Sequence, residues 1–336
     1  MKIYTNPKNP FSLLEKNLLV RLYSIYPNLS NRLFKSIKLI KAPFYILHLI
    51  VNLYGLKKLV NRIDRFLTAK VTFGNTKKLF TIRDTNSQFH SIYYNCFRDV
   101  YEPDVTSAIS LFLNEGETFI DIGSNWGHHT FYAVLCKKAK SIAFEPNPAV
   151  CDDMKRIAME LGVEDSVVCH NLALSNFTGD IQFVQEYFES GIVSINSEFT
   201  SLSLATKKIL DQLKKILKIN GIKIKSTVVS LDSMNIASAK LIKIDAEGAE
   251  LNILYGGLET LKRCRPLVIF EYHSSNLERL NNYLDYFRSI NYMLKIIDCK
   301  WSDKKYCFEL NSVEDIAKNK QFNLLAIPKE YKNVIA

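Results

Sequence analysis

From residue 118 onward, short runs that are apolar on both faces alternate with stretches of helical period. TFIDI (118–122), SIAFE (141–145), SVVCHN (166–171), KLIKID (240–245), LVIFEY (267–272), YMLKIID (292–298) and NLLAIP (323–328) read as strands. Residues 148–161, 249–261 and 277–290 carry apolar positions at helical spacing. Strands with no solvent face, separated by helices, predict a parallel sheet covered on both sides, the doubly wound α/β class. In such sheets ligands bind beyond the strands' carboxyl ends, where the strand order reverses, so polar residues there are the candidates for chemistry.

Two segments stand outside the alternation. VTFGNTKKLFTI (71–82) predicts a hairpin turning at Gly74-Asn75. Between GDIQFVQ (179–185) and VVSLDSM (228–234), an insertion at about 196–226 contains SLSLATKKILDQLKKILKI. Its apolar Ile209, Leu210, Leu213, Ile216 and Leu217 oppose lysines, which suits either a substrate lid or a docked surface helix. The expected organisation is a basic, apolar, helical N-terminal segment over 1–68 and a main domain over 69–336.

Charge adds to this picture because it is unevenly placed. Residues 1–70 hold 13 Lys and Arg against Glu15 and Asp64, a net +11 in a chain whose total is +10. Such asymmetry points to an anionic partner surface. APFYILHLIVNLYGL (42–56), flanked by lysines, would rise only about 22 Å as a helix, too short for a bilayer core. It is expected to lie in a membrane interface or to pack on the core or on a second subunit, with a homodimer as a candidate state. No nucleic-acid partner is expected, since no aromatic and basic interleaving accompanies the charge. Seven cysteines without regular spacing argue against a disulfide framework or a zinc finger. With no signal-like opening, they place the chain in the cytoplasm, with membrane association through its first 70 residues.

The first central strand runs into FIDIGSNWGHH (119–129). Its pattern, Asp121-x-Gly123-x-x-x-Gly127, lacks the third glycine of the dinucleotide fingerprint, so a pyrophosphate is not demanded. The glycines are expected to let the backbone pass close to a ligand. Glu145 ends the second strand, where a carboxylate can accept both hydroxyls of a ribose. Asn171 ends the third, where an amide can meet an adenine edge. Trp126, His128 and His129 are expected to be structural, because adjacent histidines on a helix cannot readily share a metal.

EPDVTSAISLFLNEGETFIDIGSNWGHHT, AFEPNP, VVSLDSM, LIKIDAEGAELNILYGG and VIFEYH together resemble the FkbM family of S-adenosylmethionine-dependent methyltransferases, over roughly 101–328. The resemblance implies a seven-stranded Rossmann-like sheet with one antiparallel strand near its edge, and methyl transfer to a hydroxyl oxygen. It implies that Asp121, Gly123, Asn125 and Gly127 hold the methionine and ribose parts of S-adenosylmethionine, and that Glu145 takes the ribose hydroxyls. The acceptor it implies is a small molecule or glycoconjugate, a sugar hydroxyl above all.

Methyl transfer to oxygen needs an aligned hydroxyl, exclusion of water and a proton acceptor. Strand alternation puts Lys243 and Asp245 on one face, and a lysine in so apolar a strand requires a partner, Asp121 or Asp245. Asp245 and Glu247 stand beyond that strand's end. On the next strand Glu271 and His273 share a face, so His273 is the expected general base, oriented by Glu271. The same carboxylates and histidine make Mg²⁺ a candidate metal. Two rival readings keep the fold: a non-catalytic Rossmann-fold binding protein and a dinucleotide-dependent oxidoreductase.

Overall fold

The computed structural model describes residues 2–5, 11–13, 68–73, 78–83, 101–185, 222–273, 277–302, 305–312 and 321–331. In chain order they form β1 (Lys2–Thr5), β2 (Phe11–Leu13), β3 (Thr68–Phe73), β4 (Lys78–Arg83), α1 (Pro103–Phe112), β5 (Thr118–Ile122) and α2 (His128–Lys137). Next come β6 (Lys140–Phe144), α3 (Pro148–Leu161), β7 (Val167–His170), β8 (Ala173–Leu174), β9 (Gly179–Gln185), β10 (Ile222–Val229) and β11 (Leu241–Ile244). The chain continues through α4 (Glu250–Gly256), α5 (Leu258–Cys264), β12 (Leu267–His273), α6 (Leu277–Ser289), β13 (Tyr292–Ser302), β14 (Lys305–Asn311) and β15 (Gln321–Pro328).

The main sheet has the order β1-β14-β13-β15-β12-β11-β5-β6-β7. From β13 to β7 it is the expected seven-stranded, mostly parallel sheet, with β15 antiparallel to both of its neighbours. Beyond the expectation, β14 and then β1 extend the β13 edge as antiparallel strands. Alternation along the strands divides the core. Phe119, Leu241, Ile269 and Leu325 pack with α1 and α2 on one face. Ile120, Ile122, Ile242, Ile244, Val268 and Phe270 pack with α4, α5 and α6 on the other.

Local chemistry fixes several boundaries. In α3, the Asn147 side chain caps the Ala149 N–H, Pro148 opens the first turn, and Gly162 ends the helix in the left-handed region. The single helix expected over 249–261 is instead α4 and α5, divided at Gly257, because two adjacent glycines break the ladder. β9 and β10 pair antiparallel and, with β8, form a separate three-stranded sheet. The last residues of the expected insertion therefore belong to β10, while its amphipathic stretch lies outside the described residues. The hairpin expected at 71–82 is present as the antiparallel pair β3–β4.

The chain divides into two compact units, Met1–Pro10 with Asp99–Ala336, and Phe11–Arg98. The boundary expected at 68/69 falls inside the second. The apolar stretch at 42–56 lies outside the described residues, among which no helix is long and apolar enough to cross a membrane. Cys136, Cys151, Cys169 and Cys264 are free thiols.

Candidate active site

Strand order reverses at β5, whose neighbours are β6 on one side and β11 on the other. The chain leaves β5 through Gly123, at φ +73°. The Gly123 N–H donates to the Phe144 carbonyl at 3.0 Å, and the Asp245 N–H donates to the Ile122 carbonyl at 3.0 Å. A Cβ on Gly123 would lie 1.8 Å from the Asp245 carbonyl oxygen. One on Gly127, at φ +90°, would meet Met154 and Phe131 at 2.9 Å. The space beside both α-carbons is filled by the protein's own atoms, so the glycines let the loop pack against β11 and α3.

Past Gly123 the loop is tied to the second strand. Asn125, itself at φ +50°, donates its N–H to Glu145 Oε2 at 2.9 Å, and Asn147 donates its N–H to Oε1 at 2.9 Å. Burial pushes the Glu145 carboxyl up to about 7, against the lowering effect of these two bonds. Each carboxylate oxygen keeps acceptor capacity for a hydroxyl. Asn171 donates its side-chain N–H groups to the carbonyls of Glu145 and Pro146, at 2.9 and 3.1 Å. What Asn171 can offer a ligand is therefore its carbonyl oxygen, an acceptor suited to an exocyclic amine. The buried Asn125 Oδ1 has no hydrogen-bond partner.

On the α1/α2 face, Asp121 and Lys243 are paired residues of β5 and β11. Asp121 is only 1% exposed, and its Oδ2 accepts from the Thr130 hydroxyl at 2.8 Å. Lys243 Nζ donates to Asp245 Oδ2 at 3.1 Å and lies 3.9 Å from Asp121 Oδ1. Both partners considered for this lysine are thus engaged, Asp245 more closely. Burial alone would lower the lysine's pKa; the charges of Asp245 and Asp121 overcome it and raise it, so the ammonium stays charged. This ammonium sits between the two carboxylates. Among the described residues, no group of three His, Cys, Asp or Glu is placed to hold a metal ion.

Beside Lys243 opens a cavity of about 310 Å³, lined by Glu102, Pro103, Asp104, Lys243, Ile244, Asp245, Ile269, Glu271 and Asn323. Of the expected catalytic residues it gathers Asp245 and Glu271. Glu247 is exposed on the following turn at φ +48°, outside the cavity lining. That turn is closed by Glu250, which accepts the N–H groups of Ala246 and Gly248 at 3.2 and 2.8 Å. His273 ends β12 opposite Gln321, with its side chain outside the described residues. Glu102, Asp104 and Asn323 were not expected here. Asn323 is the register partner of Glu271 on β15, and its amide donates to Asp104 Oδ2 at 2.6 Å. The sequence does signal them: Glu102-Pro103-Asp104 is an acidic helix start, and Asn323 is a polar residue leading an apolar strand.

Trp126, His128 and His129 are buried at the start of α2, with edge-on ring contacts from His128 to Trp126 and to Tyr101. His129 Nε2 bonds Glu102 Oε2 at 2.8 Å. Burial alone would raise the Glu102 carboxyl; this bond, the His129 charge and the Lys243 charge outweigh it and lower it to about 2. His128 is held well below the usual imidazole range by burial and by its histidine neighbour, and stays neutral.

The chain is similar to several known proteins. The family model of the Methyltransferase FkbM domain matches residues 121–299, more than half of the chain. The hexuronic acid methyltransferase AglP of Haloferax volcanii is 26% identical over 208 residues, covering 61% of this chain and 71% of that protein. Among solved structures, the FkbM methyltransferase of Methylobacillus flagellatus aligns at 16% identity with a TM-score of 0.40, over 67% of this chain and 52% of its own. The chain thus spans about half the length of that protein. The tRNA methyltransferase TrmK of B. subtilis aligns at 14% identity with a TM-score of 0.36, over 66% of this chain and 64% of its own. A methyltransferase domain that occupies the switch point of the sheet, from Asp121 onward, makes this chain a member of the FkbM methyltransferase family.

Proposed function

We propose that the chain is an S-adenosylmethionine-dependent O-methyltransferase acting on a hydroxyl of a sugar or glycoconjugate. The observation that carries the cofactor part is the Asn125–Glu145–Asn171 arrangement at the carboxyl ends of β5, β6 and β7. It offers a buried carboxylate for a ribose diol and an amide carbonyl for an adenine amine. The buried Asn125 Oδ1, which has no hydrogen-bond partner, lies on the same loop and fits a polar ligand there. When bound, this cofactor supplies a methyl group on a sulfonium, already a good leaving group.

The chain's own residues do the rest. Asp245 and Glu271 line the neighbouring cavity and accept hydrogen bonds from acceptor hydroxyls, fixing one oxygen toward the methyl. His273, two residues beyond Glu271 on β12, takes the hydroxyl proton. The hexuronic acid methyltransferase relative supports a sugar acceptor, and the basic, apolar first 70 residues favour one carried on an anionic membrane face.

Glu145→Ala is expected to weaken S-adenosylhomocysteine binding at least about tenfold in calorimetry, consistent with losing a charge-assisted pair. A melting curve would confirm that the variant folds, and an unchanged Kd would remove the site assignment. The wild-type protein should show a pH dependence of the same origin. Only ionised Glu145 accepts both hydroxyls, and with its carboxyl at about 7, affinity should fall about tenfold from pH 8 to pH 6. The stability linkage runs the other way. A raised carboxyl favours the folded state most at low pH, and that contribution is lost as pH rises through about 7. Dialysis against EDTA should leave methyl transfer unchanged, given Lys243 between Asp121 and Asp245.

A further inference from the structure

The acceptor cavity carries its own selection rule. Four of its lining residues are acids, Glu102, Asp104, Asp245 and Glu271, and Lys243 is the cation among the nine. The positive charge of Lys243 is already engaged by Asp245 at 3.1 Å and Asp121 at 3.9 Å. It is therefore not on offer to an anionic acceptor.

The acids are held in place from several elements. Glu102 is at φ +42° at the head of α1 and makes no side-chain cap to that helix. Its carboxylate turns to the buried His129 on α2 instead. A non-glycine residue in that region costs free energy that neighbouring structure must offset, here the His129 bond. Asp104, from the first turn of the same helix, accepts from Asn323 on β15. Burial and the Glu102 charge raise the Asp104 carboxyl, so it can hold a proton or accept one.

An observation independent of the acids points to a ligand here. The partly open volume of about 310 Å³ at the strands' carboxyl ends lies at the small end of small-molecule sites, a fit for one sugar ring. Bordering it, the buried Asp121 Oδ1 faces the cavity-lining Lys243 without a hydrogen bond of its own. Carboxylates and an amide accept hydrogen bonds from hydroxyls and pair with ammonium groups, but repel another carboxylate.

Building on the methyltransferase reading of the site, we propose that this cavity takes a neutral or amine-bearing sugar ring and discriminates against a carboxylate-bearing one. Glu102, Asp104 and Asn323 lie outside the residues 121–299 that the family model matches. The preference would separate this chain from its hexuronic acid methyltransferase relative.

The test uses the full chain with S-adenosylhomocysteine bound. Its binding is confirmed first by calorimetry, so that failure of the cofactor reading shows there and not in the acceptor data. Simple methyl glycosides of gluco, galacto and manno configuration would then be titrated by saturation-transfer NMR, each as the neutral hexoside, the uronate and the amino sugar. The neutral or amino member of at least one configuration should bind about tenfold or more tightly than its uronate. That gap should narrow in Glu102→Gln and in Asp104→Asn, with melting curves showing that both variants fold. A uronate bound as tightly as its neutral counterpart, a gap unchanged in both folded variants, or binding of no glycoside would overturn the proposal.

Discussion

Gly123→Ala should be the most damaging single change in the domain. The added Cβ would be 1.8 Å from the Asp245 carbonyl oxygen, a backbone atom that cannot swing aside. That carbonyl is held because its residue's N–H is bonded to Ile122, so relief requires β5 and β11 to part at their ends. The φ of +73° adds strain for any residue with a side chain. A cost of about 3–5 kcal/mol is expected, the range of the most severe substitutions. In a chain of this size it should lower the melting temperature by about 10 °C. Gly116→Ala is the control. It shares a positive φ of +80° but would meet nothing within 4 Å, so it isolates the backbone strain from the clash. Equal losses in the two variants would refute the close approach as the cause.

Lys243→Met should follow closely. The variant removes the ammonium between Asp121 and Asp245 and leaves Asp121, 1% exposed, as an unpaired buried anion. Breaking a buried pair by deleting one partner costs about 3–5 kcal/mol, most of it from the stranded charge. Adding Asp121→Asn should therefore recover part of the loss. The neutral amide oxygen can still accept from Thr130 but no longer needs a counter-charge. S-adenosylhomocysteine affinity should fall in the single variant, because Asp121 and Asp245 flank the loop that ends in Asn125. Melting temperature and affinity both unchanged in Lys243→Met would show that the lysine does not organise the site.

How much of this was legible in the sequence depends on the range over which each feature is decided. α3 is read correctly at both ends because Asn147, Pro148 and Gly162 are local signals. β5 is likewise read correctly, since a short run with buried residues on both faces leaves little choice. Over 249–261 the apolar period continues across the Gly256-Gly257 pair, and periodicity alone does not register the break that makes two helices. The place of Glu145 at a strand's carboxyl end was accessible because strand ends in this fold class recur at regular intervals along the chain. Glu102, Asp104 and Asn323, which line the cavity beside Lys243, were not. Asp104 and Asn323 bond each other across 219 residues, and only the order β15-β12-β11-β5 brings them beside Asp245. The close packing of Gly123 was not legible for a related reason. Nothing near Gly123 in sequence announces that the carbonyl of Asp245 will lie against it.

The pairing of β1 with β14 changes what kind of object the 11–98 unit is. It is a guest housed within a host, since the host's polypeptide both precedes it, as Lys2–Thr5, and resumes after it. Trimming the protein from its first residue to reach the methyltransferase would therefore strip a strand from the host along with the guest. The unpaired N–H and C=O groups of β14 would then be open to strand addition by another molecule. A deletion confined to 11–98 would instead leave both β1 and β14 in the chain.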